Sequence, residues 1–131
     1  MTKTELRFFG LTALMCSMAF NFTAALAENA PPAAAVSPEV YKVLAETMDF
    51  RIIKATFHPG QEDKFHSHPA DQVSLYLTDC KLRLTNLDGT SIVLTQKRGE
   101  AAVRLGHPIA AHRVENIGEN VCIIWIVESG I

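Results

Sequence analysis

The chain has 131 residues, of which 48% are hydrophobic and 20% are charged, and its formal net charge is −2. This length suits a single domain with a core large enough to fold. A slightly acidic chain without a basic stripe excludes nucleic acids and anionic membrane surfaces as favoured partners.

The first 27 residues have the pattern of a secretory signal peptide. Lys3 and Arg7 form a basic start, an apolar run follows over residues 8–20, and an Ala-Leu-Ala cleavage site ends at Ala27. The apolar run is shorter than the ~20 residues that a membrane-spanning helix needs. We therefore expect a periplasmic or secreted protein that keeps no membrane segment after cleavage.

Residues 28–39 are rich in alanine and proline and predict a flexible leader. The folded domain is then expected over residues 40–131. Its first segment, residues 40–48, fits either a short helix or an edge strand, and the sequence leaves both open.

From residue 50 onward, short strands alternate with turns. Strands are predicted over residues 51–57, 72–78, 81–85, 91–95, 101–104, 111–115 and 121–127. Asp88-Gly89 predicts a hairpin turn, because both residues can take positive φ. The last strand is apolar on both faces, so we expect it to be deeply buried. The pattern predicts an all-β sandwich or barrel. Its expected core includes four aromatic residues: Phe57, Phe65, Tyr76 and Trp125.

Cys80 and Cys122 are the two cysteines that follow the signal segment. An even number of cysteines in an exported chain favours a disulfide. Two buried free thiols are the alternative, because the sequence does not show whether the side chains face each other.

All five histidines also follow the signal segment. In His66-Ser67-His68 the two imidazoles point to one face of an extended chain, within reach of one ion. His112 can supply a third nitrogen from a later strand, and Gln72 can add an oxygen. This donor set, with open positions, suits Fe, Mn, Ni, Cu or Zn. His58, at the end of a predicted strand, is expected at the surface.

The segment from Gly60 to His68 resembles the start of the first cupin motif, in which a glycine precedes H-x-H by five residues. Gln72 stands where that family has a glutamate, and Asp79 stands where it has a glycine. The change at Gln72 removes the one anionic ligand. A cupin that has lost its metal together with this glutamate is therefore the alternative to a metal-binding one.

A second cupin motif is also recognisable. Gly99 resembles its opening glycine, and the segment from His112 to Asn116 resembles its closing H-x-x-x-N. The stretch between Gly99 and His112 is two residues longer than the family's pattern. Either the chain bulges before His112, or His107 is the third ligand.

The resemblance implies a single cupin-type β-barrel, or jelly roll, of short antiparallel strands, and by analogy a homodimer. It also implies a metal-dependent oxidoreductase of the dioxygenase type that acts on a small molecule. Gln72 cannot serve as a general base, because an amide does not titrate, and the catalytic residues stay unknown. The alternatives are a non-catalytic periplasmic module that binds a small molecule or a metal, and a structural role.

Overall fold

Nine β-strands and one short helix form the regular structure of residues 30–69, 71–106 and 108–129, which this computed structural model describes. The helix α1 is Ala33–Val36. The strands are β1 Tyr41–Glu46, β2 Phe50–Phe57, β3 His66–His68, β4 Asp71–Tyr76, β5 Cys80–Asn86, β6 Ser91–Gln96, β7 Ala101–Arg104, β8 Ile109–Asn116 and β9 Cys122–Ser129. The predicted signal peptide and His107 lie outside the described residues.

The strands form two antiparallel sheets. One sheet has the order β1-β2-β9-β4-β7, and the other has the order β3-β8-β5-β6. All seven predicted strands are present within two residues at each end, and the prediction of an all-β fold of short antiparallel strands is confirmed. Residues 40–48, which fitted a helix or a strand, contain the edge strand β1, which pairs with β2.

The core lies between the two sheets. Ile53 and Phe57 on β2 and Ile124 on β9 point inward from the five-stranded sheet, while Leu82 and Val114 point inward from the other sheet. These side chains are at most 6% exposed. Burial of apolar surface at roughly 25 cal/mol per Å² therefore holds the two sheets together.

One face of β9 is not buried, which corrects the prediction for this strand. Trp125 and Val127 are 44% and 37% exposed, whereas their neighbours Ile124 and Ile126 are 6% and 5% exposed. Trp125 is therefore not a core residue. An antiparallel sheet can have one face on the core and the other in solvent, and the apolar composition of β9 on both faces concealed this.

The adjacent strands extend this exposed apolar face. Val73 on β4 lies opposite Val127 of β9 and Val103 of β7, and Leu75 lies opposite Trp125. These side chains point outward, while Gln72 and Tyr76 of β4 are buried. Phe57 and Tyr76 are buried as predicted, but Phe65 is only half-buried, and the guanidinium of Arg113 lies 5.4 Å from its ring.

The predicted hairpin turn at Asp88-Gly89 is present between β5 and β6, with positive φ at one of its two residues. Among the described residues only glycines have positive φ, so Asp88 does not, whereas Gly89 has φ 84°. The amide of Gly89 donates to the carbonyl of Asn86 at 3.0 Å, and the amide of Asn86 donates to the carbonyl of Thr90 at 2.8 Å. This pattern is that of a three-residue loop with one left-handed residue.

Cys80 and Cys122 form a disulfide that joins β5 to β9 and so links the two sheets. Their Cα atoms are 5.0 Å apart, within the range that a disulfide requires. The disulfide is therefore the correct one of the two alternatives that the sequence left open.

Residues 30–39 pack against β3, in contrast to the predicted flexible leader. Ala33 and Ser37 are 2% and 0% exposed. The amide of Ser67 donates to the carbonyl of Pro31, and the amide of Lys64 donates to Ser37 Oγ. These hydrogen bonds and the burial of Ala33 fix the segment next to the H-x-H sequence. Within the described part of the chain, no helix is long and apolar enough to cross a membrane.

Candidate metal centre

Three histidines meet inside the barrel. The strand β3 supplies His66 and His68, and β8 supplies His112, which lies directly opposite His66 in the strand register. Their ligand atoms all lie within 4.8 Å of one another, and all three side chains are buried. The structure therefore brings together the three histidines that the sequence singled out.

A register irregularity between β3 and β8 makes this arrangement possible. His66 lies opposite His112, but His68 lies opposite Ile109. Two residue steps on β3 thus match three on β8, so β8 carries one extra residue before His112. This bulge takes up one of the two extra residues of the second motif, and the pairing of His112 with His66 places both side chains on one face of the sheet.

Backbone carbonyls orient two of the imidazoles. The Nδ1 atom of His66 lies 2.9 Å from the carbonyl of Lys64, and that of His112 lies 2.9 Å from the carbonyl of Ala110. A carbonyl only accepts hydrogen bonds, so the proton is assigned to Nδ1 in both rings. The lone pair of each ring is then on Nε2, which is free to bind a metal.

A carboxylate orients the third imidazole. Glu128 Oε1 lies 2.5 Å from His68 Nδ1, and the Nε2 atom of His68 lies 3.0 Å from that of His66. A carboxylate behind a histidine fixes the ring orientation and increases its basicity as a ligand. Our sequence reasoning missed Glu128. The signal that could have found it is its inward position, two residues after Ile126 on β9.

A second buried carboxyl group lies on the other side of His66. Asp63 Oδ2 is 3.3 Å from His66 Nδ1 and accepts a hydrogen bond from the Tyr41 hydroxyl at 2.6 Å. The amide of Val114 donates to Asp63 Oδ1. Burial raises the pKa of Asp63 to about 6, although the hydrogen bonds from Tyr41 and Val114 act in the opposite direction. The sequence reasoning also missed this residue.

Burial keeps two of the imidazoles neutral. It lowers the pKa of His66 to about 3, and the neighbouring His68 and His112 rings act in the same direction. It also lowers the pKa of His112 to about 4, to which His68 and the Arg104 guanidinium contribute. At neutral pH these rings are therefore in the neutral form that binds metal ions.

Gln72 enters the same cavity from β4. Its Nε2 donates to Ser74 Oγ at 3.2 Å, whereas its Oε1 is buried and has no hydrogen-bond partner among the described residues. A buried acceptor without a donor costs about 1–3 kcal/mol. A metal ion or a bound molecule would satisfy this oxygen. Three imidazole nitrogens and an amide oxygen fit a divalent transition metal.

A cavity of about 160 Å³ lies beside the centre, between the two sheets. His68, Gln72 and His112 line it, together with Phe57 and Tyr76. Most of the other side chains that line it are aliphatic: Ala55, Leu82, Leu84, Leu94, Ala102, Ile109, Val114, Ile124 and Ile126. An apolar cavity with a few converging polar groups is the usual form of a small-molecule site.

Two other sequence features lie away from this centre. His58 is exposed at the end of β2, as expected. His107 lies outside the described residues, so only His112 of the two alternative third ligands is placed, and the structure places it with His66 and His68.

The comparisons with known proteins concern the fold. No protein-family model matches the sequence, and no curated protein matches it. Among solved structures, the chain is similar to a cupin domain from Bordetella pertussis Tohama I, at 22% identity and a TM-score of 0.62, over 79% of this chain and 98% of that one. It is also similar to an uncharacterized conserved protein with a double-stranded β-helix domain from Klebsiella pneumoniae, at 27% identity and a TM-score of 0.51, over 70% and 76% of the two chains. The described part of this chain has the fold of a cupin β-barrel.

Proposed function

We propose that the protein binds one divalent transition metal ion through Nε2 of His66, His68 and His112, with Gln72 Oε1 as a further ligand. One observation carries this proposal. Three buried ring nitrogens converge within 4.8 Å while the opposite nitrogen of each ring already has an acceptor. Because the three rings are oriented in advance, little reorganisation is needed when a metal such as Fe, Mn, Ni, Cu or Zn binds.

We further propose that the protein is a metal-dependent oxidoreductase of the dioxygenase type that acts on a small molecule in the adjacent cavity. The metal would supply Lewis acidity and redox chemistry. The chain would supply the rest: Phe57 and Tyr76 offer apolar surface to the substrate, and the aliphatic walls exclude water from it. Glu128 holds His68 in position from behind.

A second candidate function, a non-catalytic binding module, is supported by the chemistry of the cavity. None of the described residues that line it is an aspartate, a glutamate or a lysine. Burial raises the pKa of Tyr41 and Tyr76 above the usual value, so neither phenol is a base near neutral pH. A reaction that begins with proton abstraction by a side chain other than a metal ligand is therefore not supported.

Metal content tests the centre directly. We expect close to one metal ion per chain in the wild type and in the control His58→Ala, whose side chain is exposed. His66→Ala and His112→Ala should lose it. Thermal melting in the presence of a chelator shows whether each variant is folded. If His112→Ala is not folded, His112→Gln is used in its place. A wild type without metal, even after reloading, would overturn the proposal.

The loaded protein then separates the two functions. Oxygen uptake with catechols or thiols, absent in His112→Gln, would support the oxidoreductase. A rise in melting temperature with a small molecule, without oxygen uptake, would support the binding module. If no compound of a metabolite library causes oxygen uptake or a rise in melting temperature, both functions are contradicted.

We also propose that the protein is exported and forms a homodimer. The Cys80–Cys122 disulfide supports export, because such bonds persist in oxidising compartments. The exposed apolar face that includes Val73, Trp125 and Val127 supports association with a second copy. Mass analysis of secreted protein should find an N-terminus at Glu28, and light scattering should give a dimer mass; a full-length chain or a monomer would refute the respective proposal.

A further inference from the structure

Arg104 lies at the mouth of the cavity, on the edge strand β7. The register places Arg104 opposite Gln72 and Ala102 opposite Ser74, which all lie on the same face of the sheet. Gln72 and Ser74 line the cavity, and so does Arg104. The Arg104 side chain is thus directed toward the cavity while it stays exposed to solvent.

The guanidinium of Arg104 has no ion pair or side-chain hydrogen bond with any described residue. By contrast, Arg51, Arg83 and Arg113 each contact a glutamate within 3.0 Å. Arg104 is also the one permanently charged side chain among the described residues that line the cavity. The cavity therefore has one cationic end, the polar groups of the histidine centre and otherwise mainly apolar walls.

This cation lies within electrostatic range of the histidine centre. Arg104 lies opposite Gln72 in the strand register and lines the same cavity as His68 and His112. None of the proposed ligands of the metal carries a negative charge, and the carboxylate of Glu128 lies behind His68 and does not line the cavity. A bound divalent ion would thus add to the positive potential of Arg104.

The size of the cavity limits the body of a ligand. A dry, apolar cavity of about 150 Å³ in another protein accommodates benzene, and this one measures about 160 Å³. Apart from Arg104, its walls, which include Phe57, Leu82 and Ile124, offer no permanent charge to a ligand. The part of the ligand that enters the barrel is therefore apolar and about as large as one six-membered ring.

We propose that the natural ligand is a small organic carboxylate whose apolar body fills the cavity, and that Arg104 binds its carboxylate and sets this specificity. A guanidinium matches a carboxylate with two parallel hydrogen bonds, which a neutral analogue cannot reproduce. The inference deepens the proposed small-molecule function, but it does not depend on the presence of the metal.

The test is a binding comparison between benzoate and benzamide, which share the ring and differ in charge. Calorimetric titrations at low salt use metal-loaded and chelator-treated protein, for the wild type, Arg104→Met, Arg104→Lys and Arg98→Met. Arg98 is an exposed arginine on the turn before β7 that does not line the cavity, so it controls for net charge. Unchanged thermal melting shows that each variant is folded.

We expect the wild type to bind benzoate at least about ten times more tightly than benzamide, the size of one charge-assisted hydrogen bond. Arg104→Met should lose this preference, because its affinity for benzoate falls by much more than its affinity for benzamide. Arg104→Lys should keep part of the preference, and Arg98→Met should keep all of it.

Three results would overturn the inference. The wild type could show no preference for benzoate, it could bind neither ligand, or Arg104→Met could lose affinity for both ligands equally. The same experiments test the metal centre independently of Arg104. A preference that depends on Arg104 in a protein that retains no metal would refute the metal centre alone, whereas stoichiometric metal without that preference would refute the role of Arg104 alone.

Discussion

The hydrogen bond between Glu128 and His68 is the interaction whose removal tests the centre most sharply. The two side chains are 3% and 4% exposed, and the contact distance is 2.5 Å. Glu128→Gln keeps the size of the side chain and an oxygen that can accept from Nδ1, but it removes the negative charge. A charge-assisted hydrogen bond contributes about 1.5–3 kcal/mol and a neutral one about 1 kcal/mol. We therefore expect the metal-free protein to lose about 1 kcal/mol of stability.

Metal affinity should fall further than this. Loss of a partner behind a metal-binding histidine typically weakens metal binding by about 10- to 100-fold, which corresponds to about 1.4–2.8 kcal/mol. Competition with a chromophoric chelator measures the affinity, and urea denaturation of the metal-free protein measures the stability. Glu115→Gln is the matched control, because Glu115 pairs with Arg83 near the surface, away from the cavity. An affinity of Glu128→Gln equal to that of the control would refute the reasoning.

Two further predictions concern the metal-free protein, its response to pH and its disulfide. The pKa values of His66 and His112 are about 3 and 4 in the folded state against 6.5 when unfolded, so the unfolded state binds more protons and stability should fall as the pH drops from 6.5 to 4. The pKa of Asp63 is raised from 3.8 to about 6, so the folded state takes up one proton there and offsets one of the two protons that the histidines take up in the unfolded state. The net loss of stability is then about 1.4 kcal/mol per pH unit. Constant stability in urea denaturation over this pH range would contradict the prediction. The disulfide closes a loop between residues 42 positions apart, so the double variant Cys80→Ser/Cys122→Ser should lose about 4 kcal/mol in the chain-entropy model. An unchanged urea midpoint would refute this prediction.

Local patterns were sufficient for the strands but not for the face that each strand buries. The alternation of residues 72–78 correctly predicted β4, with Gln72, Ser74 and Tyr76 on one face. In the structure this more polar face points inward, and Val73 and Leu75 point outward at 39% and 36% exposure. A hydrophobicity pattern normally assigns the apolar face to the core. Here the interior is a lined cavity, so polar groups face inward and the usual assignment fails.

The sequence by itself determined the all-β fold, the positions of the strands and the common face of His66 and His68, because the two-residue period of a strand is a local property of the chain. Only the tertiary structure decided which distant residues meet. The bulge before His112 sets its place opposite His66, and β9 brings Glu128 to His68 across 60 residues of sequence. The pairing of β4 with β7 brings Arg104 to the cavity. Such contacts depend on strand register and on the packing of two sheets, and a one-residue change of register would turn each of these side chains to the opposite face.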